Sequence, residues 1–287
     1  MESQTVRVNV ALRQLLIVPV VLLLTLVARA DESVLVTAIN AYRSELQSCN
    51  GEAAGAVPAL VADGRLILPP LGGGDLQQSL TRSGYPLVNV RAISLSGPRD
   101  AEAAMVALRE SFCQVLLDPQ FVDIGVSRDG RDWRIVLARP MLSGGLGDWQ
   151  AEGQRLLRLI NAARAEPRRC GAQSFAAAGP LAWEPVLGGV AEAHSRAMAN
   201  GNFFGHLDGD GRTPGDRAEL AGYAGQQVGE TIAAAQDTPQ QVLEAWLTIP
   251  SYCAALMNPQ FSDLGAAYAV DPQSDAGIYW TALFGGP

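Results

Sequence analysis

The sequence predicts an α+β fold, laid out twice along one chain. Three observations carry that expectation. Leu156, Leu159, Ile160 and Ala163 recur at helical spacing. "GIYWTALF" (277–284) alternates Ile278, Trp280, Ala282 and Phe284 on one face, as a half-buried antiparallel strand does. Finally, three stretches of text recur in the same order. "INAYRSELQSC" (39–49) returns as "INAARAEPRRC" (160–170), "SGYPLVNV" (83–90) as "AGYAGQQV" (221–228), and "SFCQVLLDPQFVDIGV" (111–126) as "SYCAALMNPQFSDLGA" (251–266). One short match could be chance; three in order argue for duplication.

The first element is not part of either copy. Arg7 and Arg13 precede the apolar run "LLIVPVVLLLTLVA" (15–28), which leads to Ala28-Arg29-Ala30. That is the form of a secretory signal peptide over 1–30, cleaved after Ala30. The run falls short of the ~20 apolar residues that span a bilayer, so no membrane span is expected once it is removed. The remainder has 18 arginines against 28 acidic residues, and all 21 basic residues of the chain are arginine. So acidic a protein is not expected to bind nucleic acid, because it has no excess positive charge with which to displace counterions. Hydrophobic residues at 48% and charged residues at 17% describe a globular chain.

The first copy occupies 31–141. It ends in "FVDIGVS" and "RDWRIVLA", joined around Asp129-Gly130 as a hairpin. Gly-rich "LSGGLGDW" marks a linker, 142–150, and the second copy runs over 151–287. In that copy a second helix follows Pro185, with Leu187, Ala191, His194 and Met198 on one face and Gly201 as its stop. Thr238-Pro239-Gln240-Gln241 has the form of a capping box that opens a third helix through Trp246. Two strands, 262–270 and 277–284, close the unit. Helices flanking a small antiparallel sheet make an α+β layered domain.

Four cysteines permit three pairings. Each copy owns two, which predicts Cys49–Cys113 and Cys170–Cys253. On the loop-entropy picture each bridge is worth roughly 4 kcal/mol. The two spacings are 64 and 83, so the first copy is 19 residues shorter. The missing text lies around 193–211, which holds both histidines of the chain, His194 and His206.

"NFFGHLDGDGRTPGDR" (202–217), "GYAGQQVGETIAAA" (222–235) and "AWLTIPSYCAALMNPQFSDLGAAYA" (245–269) together resemble the CAP superfamily. These are the cysteine-rich secretory, antigen 5 and pathogenesis-related 1 proteins, and the likeness is greatest to their bacterial secreted SCP-domain branch. It covers about 152–285. It implies an α-β-α sandwich, here preceded by a shortened, degenerate copy. Family members commonly line a central cleft with two histidines and two acidic residues, and some bind a divalent metal there. Carried over by position, the F-x-H histidine is His206 and the G-E-N glutamate is Glu230, here in "GET". The second histidine is replaced by Tyr252 and the second glutamate by Ile249. Zinc wants at least three ligands from His, Cys, Asp or Glu; His206 and Glu230 are weak candidates for two, so no metal and no cofactor is expected.

The expected cleft residues are His206, Glu230 and Tyr252, with His194 read more simply as a core histidine on an apolar helix face. "DGDG" (208–211) lacks the ligand pattern of a calcium loop and reads as a polar turn. No serine sits in a nucleophile elbow, and every cysteine is assigned to a disulfide, so no catalytic residue is expected. The resemblance therefore implies a secreted, non-catalytic binding module for a lipid-like or sterol-like apolar ligand, or for a protein partner. A metal-assisted hydrolase built on His206 and Glu230 is the alternative.

Overall fold

The computed structural model describes residues 18–68, 76–85, 87–142 and 145–287, with 18–30 as backbone only. Residues 1–17 of the expected leader lie outside the described residues, as do Ser143 and Gly144 of the expected linker. Helix α1 runs from Val18 to Arg43, across the expected cleavage point at Ala30. From Val20 to Arg43 the chain contains neither Gly nor Pro to break it. Among the described residues, no helix is long and apolar enough to cross a membrane.

After α1 come β1 (Gln47–Cys49), β2 (Glu52–Ala54), β3 (Val61–Ala62), a 3-10 turn (Gly64–Leu66), α2 (Leu76–Arg82), β4 (Leu87–Ser96), α3 (Ala101–Leu116), β5 (Asp123–Asp129) and β6 (Asp132–Pro140). The second half follows with α4 (Trp149–Arg164), β7 (Arg168–Cys170), β8 (Gln173–Phe175), β9 (Ala182–Trp183), α5 (Pro185–Gly201) and α6 (Pro214–Leu220). It closes with β10 (Gln227–Ala234), α7 (Pro239–Thr248), α8 (Pro250–Met257), β11 (Asp263–Val270) and β12 (Ile278–Gly286). The class is α+β.

Each half contains a four-stranded sheet, and the two sheets have the same order: β3-β5-β6-β4 and β9-β11-β12-β10. In both, a short parallel strand sits at one edge and the remaining pairs are antiparallel. The frame residues also match in role. Arg43 and Arg164 are buried, and each fans its guanidinium over backbone carbonyls: Pro58, Leu116, Asp118 and Phe121 for Arg43, and Gly179, Leu256, Asn258 and Phe261 for Arg164. Asn40 exchanges two hydrogen bonds with the backbone of Leu60, and Asn161 does the same with Leu181. Tyr85 donates to Asp123 at 2.6 Å and Tyr223 to Asp263 at 2.8 Å. The disulfides are Cys49–Cys113 and Cys170–Cys253.

The halves differ where the first is shorter, and the gap begins earlier than the sequence suggested. All of α5, from Pro185, has only the 3-10 turn as its counterpart among the described residues. Gly265 of β11 lets the backbone of Leu187 and Gly188 lie directly on the sheet; a Cβ there would come within 2.0 Å of the Gly188 nitrogen. In the first half Gly125 gives the same close approach to Leu66 of the 3-10 turn. Three smaller corrections follow. Helix α5 is capped by Asn202 in the left-handed conformation, one residue after Gly201. Helix α4 starts within the expected linker, because the Asp148 carboxylate accepts from Ala151 N–H. At α7, Thr238 caps Gln241 N–H, but the Gln241 side chain accepts from Asp237, one residue before the cap. The hairpin between β5 and β6 turns at Gly130 with φ +60°, as the sequence indicated.

The halves pack against each other. Phe204 of the second half contacts the cluster of Cys49, Val57, Cys113 and Leu117 in the first. Ala56, Val122 and Leu142 pack on the core of the second. Ala59 N–H donates to the Thr248 hydroxyl at 3.2 Å, and Arg139 donates to the Ser274 carbonyl at 3.3 Å.

Candidate functional site

Glu230 lies in β10 opposite Leu283 of β12, with its side chain buried. A buried carboxylate needs partners, and it has two strong ones. Oε1 accepts from His206 Nδ1 at 2.8 Å, and Oε2 accepts from the guanidinium of Arg217. Arg217 comes from α6, a short helix fixed at its start by a reciprocal cap between Thr213 and Asp216. The same guanidinium donates to the carbonyl of His206 at 2.8 Å and of Arg212 at 3.0 Å. Arg217 thus fastens the loop that carries His206 to the sheet that carries Glu230. Sequence reading missed this residue; the Thr213-Pro214-Gly215-Asp216 cap just before it was the available signal.

Tyr252, on α8, completes the group. Its hydroxyl lies 3.0 Å from His206 Nε2, and the two rings meet edge to face with centroids 5.8 Å apart. Because Glu230 can only accept, Nδ1 carries a proton, and in the neutral ring Nε2 accepts the Tyr252 O–H. Burial first, then the Glu230 carboxylate, push the Tyr252 phenol above its ordinary value, so it stays neutral.

His194 stands behind this group. Its side chain is fully buried; Nε2 lies 2.9 Å from the Gly205 carbonyl and 3.9 Å from Glu230 Oε1. Its Nδ1 has no hydrogen-bond partner among the described residues. Burial holds this imidazole below its usual range, only partly offset by the Glu230 charge. The expected four residues are therefore brought together in sequence from surface to core: Tyr252 and His206 at the cleft wall, Glu230 and then His194 beneath. The Asp208–Gly211 segment is a polar turn, with Asp208 Oδ1 accepting from Asp210 and Arg212 N–H.

The donor set does not fit a metal. Both ring nitrogens of His206 and both oxygens of Glu230 are engaged inside the protein, one of those oxygens by a guanidinium. Tyr252 is a neutral phenol where a third ligand would stand. No cluster of three or more His, Cys, Asp or Glu among the described residues is arranged to hold an ion.

His206 and Tyr252 form part of the wall of a cleft of about 890 Å³ between the two halves. The second half contributes residues around 202–206, 250–252 and 275–279. The first half contributes the segment after β2 (54–57) and the turn after α3 (117–120). Glu230 and His194 lie outside its lining.

Residues 157–284 match the family described as CAP, the cysteine-rich secretory protein family. The uncharacterized protein YkwD of Bacillus subtilis is 30% identical over 105 residues, which is 37% of this chain and 39% of its own length. Among solved structures, an extracellular protein containing a SCP domain from Bacillus anthracis is similar at 24% identity and a TM-score of 0.42. That likeness covers 55% of this chain and 54% of the other. An outer surface protein of Borrelia burgdorferi is similar at 21% identity and a TM-score of 0.42, covering 50% and 98%. The chain thus spans well under two thirds of the Bacillus relatives it matches. With the family match lying over α4 to β12 and the F-x-H and G-E motifs meeting at one site, residues 157–284 form a CAP domain of the cysteine-rich secretory protein family.

Proposed function

We propose that this chain is an exported, non-catalytic binding protein whose cleft holds a small apolar or amphipathic molecule. One observation carries the reading. The Tyr252 hydroxyl occupies His206 Nε2, the atom that a histidine backed by a carboxylate at Nδ1 would use as general base. With that atom bonded and the Glu230 charge matched by Arg217, the group serves as a rigid floor. The cleft itself falls in the size range of small-molecule sites, which is a few hundred to about 1,000 Å³. In this reading residues 1–30 are the export leader and 151–287 the CAP unit. Residues 31–141 are a shortened copy, kept as the opposite wall.

A ligand selective for the folded state must stabilise it. A panel of fatty acids, lysolipids and sterols is therefore expected to contain members that raise the melting temperature. Esterase and peptidase substrates are expected to give no turnover above buffer. Turnover that disappears in His206→Ala would overturn the non-catalytic reading. A melting temperature unmoved by the whole panel would instead turn the reading toward a protein partner.

A further inference from the structure

The chemistry of the cleft wall narrows the ligand class. Four aromatic rings stand in it: Phe203, Phe204, Tyr252 and Tyr279. Three carboxylates line it as well, Glu45 and Asp118 from the first half and Asp275 from the second. No arginine is among the lining residues, and the chain has no lysine.

Three guanidinium groups lie behind the wall, and none of them is among its lining residues. Arg43 is buried, donates to backbone carbonyls and acts through its charge on Asp118; Arg139 is buried, has one donor on the Ser274 carbonyl and acts on Tyr279, Asp275 and Asp118; Arg217 is held on Glu230. A charge in contact with a ligand acts more strongly than one set a layer deeper, since Coulomb energy falls with distance. The carboxylates are therefore the charges that a ligand meets. Two of them are also held in place. Asp118 accepts from Gln120 N–H at 3.0 Å and from its side-chain amide at 2.7 Å, and Asp275 accepts from the Asn202 amide at 3.0 Å.

Aromatic rings and carboxylates in one wall, with the guanidinium groups only in the layer behind it, form the chemistry that recognises an organic ammonium. We infer that the cleft between the two halves binds an amphipathic organic cation, an alkylated ammonium group on an apolar body, and that Glu45 and Asp118 make the first half a part of the binding site. This rests on the binding reading proposed above, and it adds the charge of the ligand and the role of the first half.

The test uses the full chain and three probes with one tail: octyltrimethylammonium, octyl glucoside and octanoate. Affinities are measured by titration calorimetry at low ionic strength. The cation is expected to bind about tenfold more tightly than octanoate, from cation–ring and carboxylate attraction together. Added salt should shrink that ratio, because the rim carboxylates are open to solvent. Glu45→Gln, at an exposed position, should reduce the ratio about two- to threefold without changing stability. Gly55→Trp locates the site. A Cβ at Gly55 would meet no heavy atom within 4 Å, so the indole has room to enter the cleft, and binding should be lost in a folded variant. Equal affinity for the three probes, or a preference for octanoate, overturns the cationic assignment but leaves the binding reading standing. If none of the three binds, both fall. Cation binding that survives Gly55→Trp overturns the placement in this cleft.

Discussion

The two halves of the molecule use the same residues to build the frame and different residues where the frame could act. Arg43 and Arg164, Asn40 and Asn161, and Tyr85 and Tyr223 are paired in text and make the same hydrogen bonds. The site positions diverge. By sheet register, Val136 of β6 faces Gly125 and Ala92, and Leu283 of β12 faces Gly265 and Glu230. Ala92 therefore stands where the second half has Glu230. Phe112 stands where it has Tyr252, and the described first half has no helix equivalent to α5 to supply His194. The carboxylate, the phenol and the histidines are absent together. A buried carboxylate without its partners would be costly, and the first half buries none at this position.

The comparison can be broken first at its arginines. Arg164→Met leaves four carbonyls without their donor, and Arg43→Met does the same in the first half. Each is expected to lower stability by about 1.5–3 kcal/mol, the scale for losing hydrogen bonds from a charged donor and leaving buried acceptors unmet. Urea unfolding of the two variants reads this directly. A loss under 1 kcal/mol for Arg43→Met alone would show that the first half adds little to global stability, despite its matching frame.

A finer comparison comes from the tyrosine hydroxyls. Tyr85→Phe and Tyr223→Phe each delete one hydrogen bond to a strand aspartate, at an expected cost of about 1 kcal/mol. Similar values in denaturant melts would extend the equivalence of the halves to this corner; unequal values would mark where it stops.

The smallest effect belongs to His194, which has no counterpart in the described first half. Its proton affinity is lowered in the folded state by burial, so below the ordinary value of 6.5 the unfolded chain binds the extra proton. Stability is thus full above about pH 6.5 and falls as pH drops below it. Melting temperatures between pH 7.5 and 5 should show that decline, and His194→Gln should flatten part of it. An unchanged slope in the variant would assign the acid sensitivity to other groups.

Much of this was legible in the sequence, and the reasons differ by element. Ile, Asn, Arg and Cys at fixed spacing could be read because each does a local job at a fixed place on α1 and α4. Proline after threonine announced α7. Helix α8 was not legible: "PSYCAALM" starts directly after α7 and its N-cap, Ile249, makes no side-chain hydrogen bond. The His206–Glu230 pair could be named from motifs, but not Arg217, whose role depends on how α6 folds back over the loop. That His206 and Tyr252 line a cleft followed from the resemblance, but the wall supplied by the first half did not. The cleft's two walls come from residues far apart in the chain, brought together by packing between halves and marked by no local pattern.

Phe204 gives that packing a thermodynamic meaning. By chain position it belongs to the second half, two residues before His206; by its contacts it also belongs to the cluster around the first half's disulfide. Melting either half would strip cover from this ring and from the seam around it. The two halves therefore share this seam, and the cover it gives to Phe204 depends on both being folded.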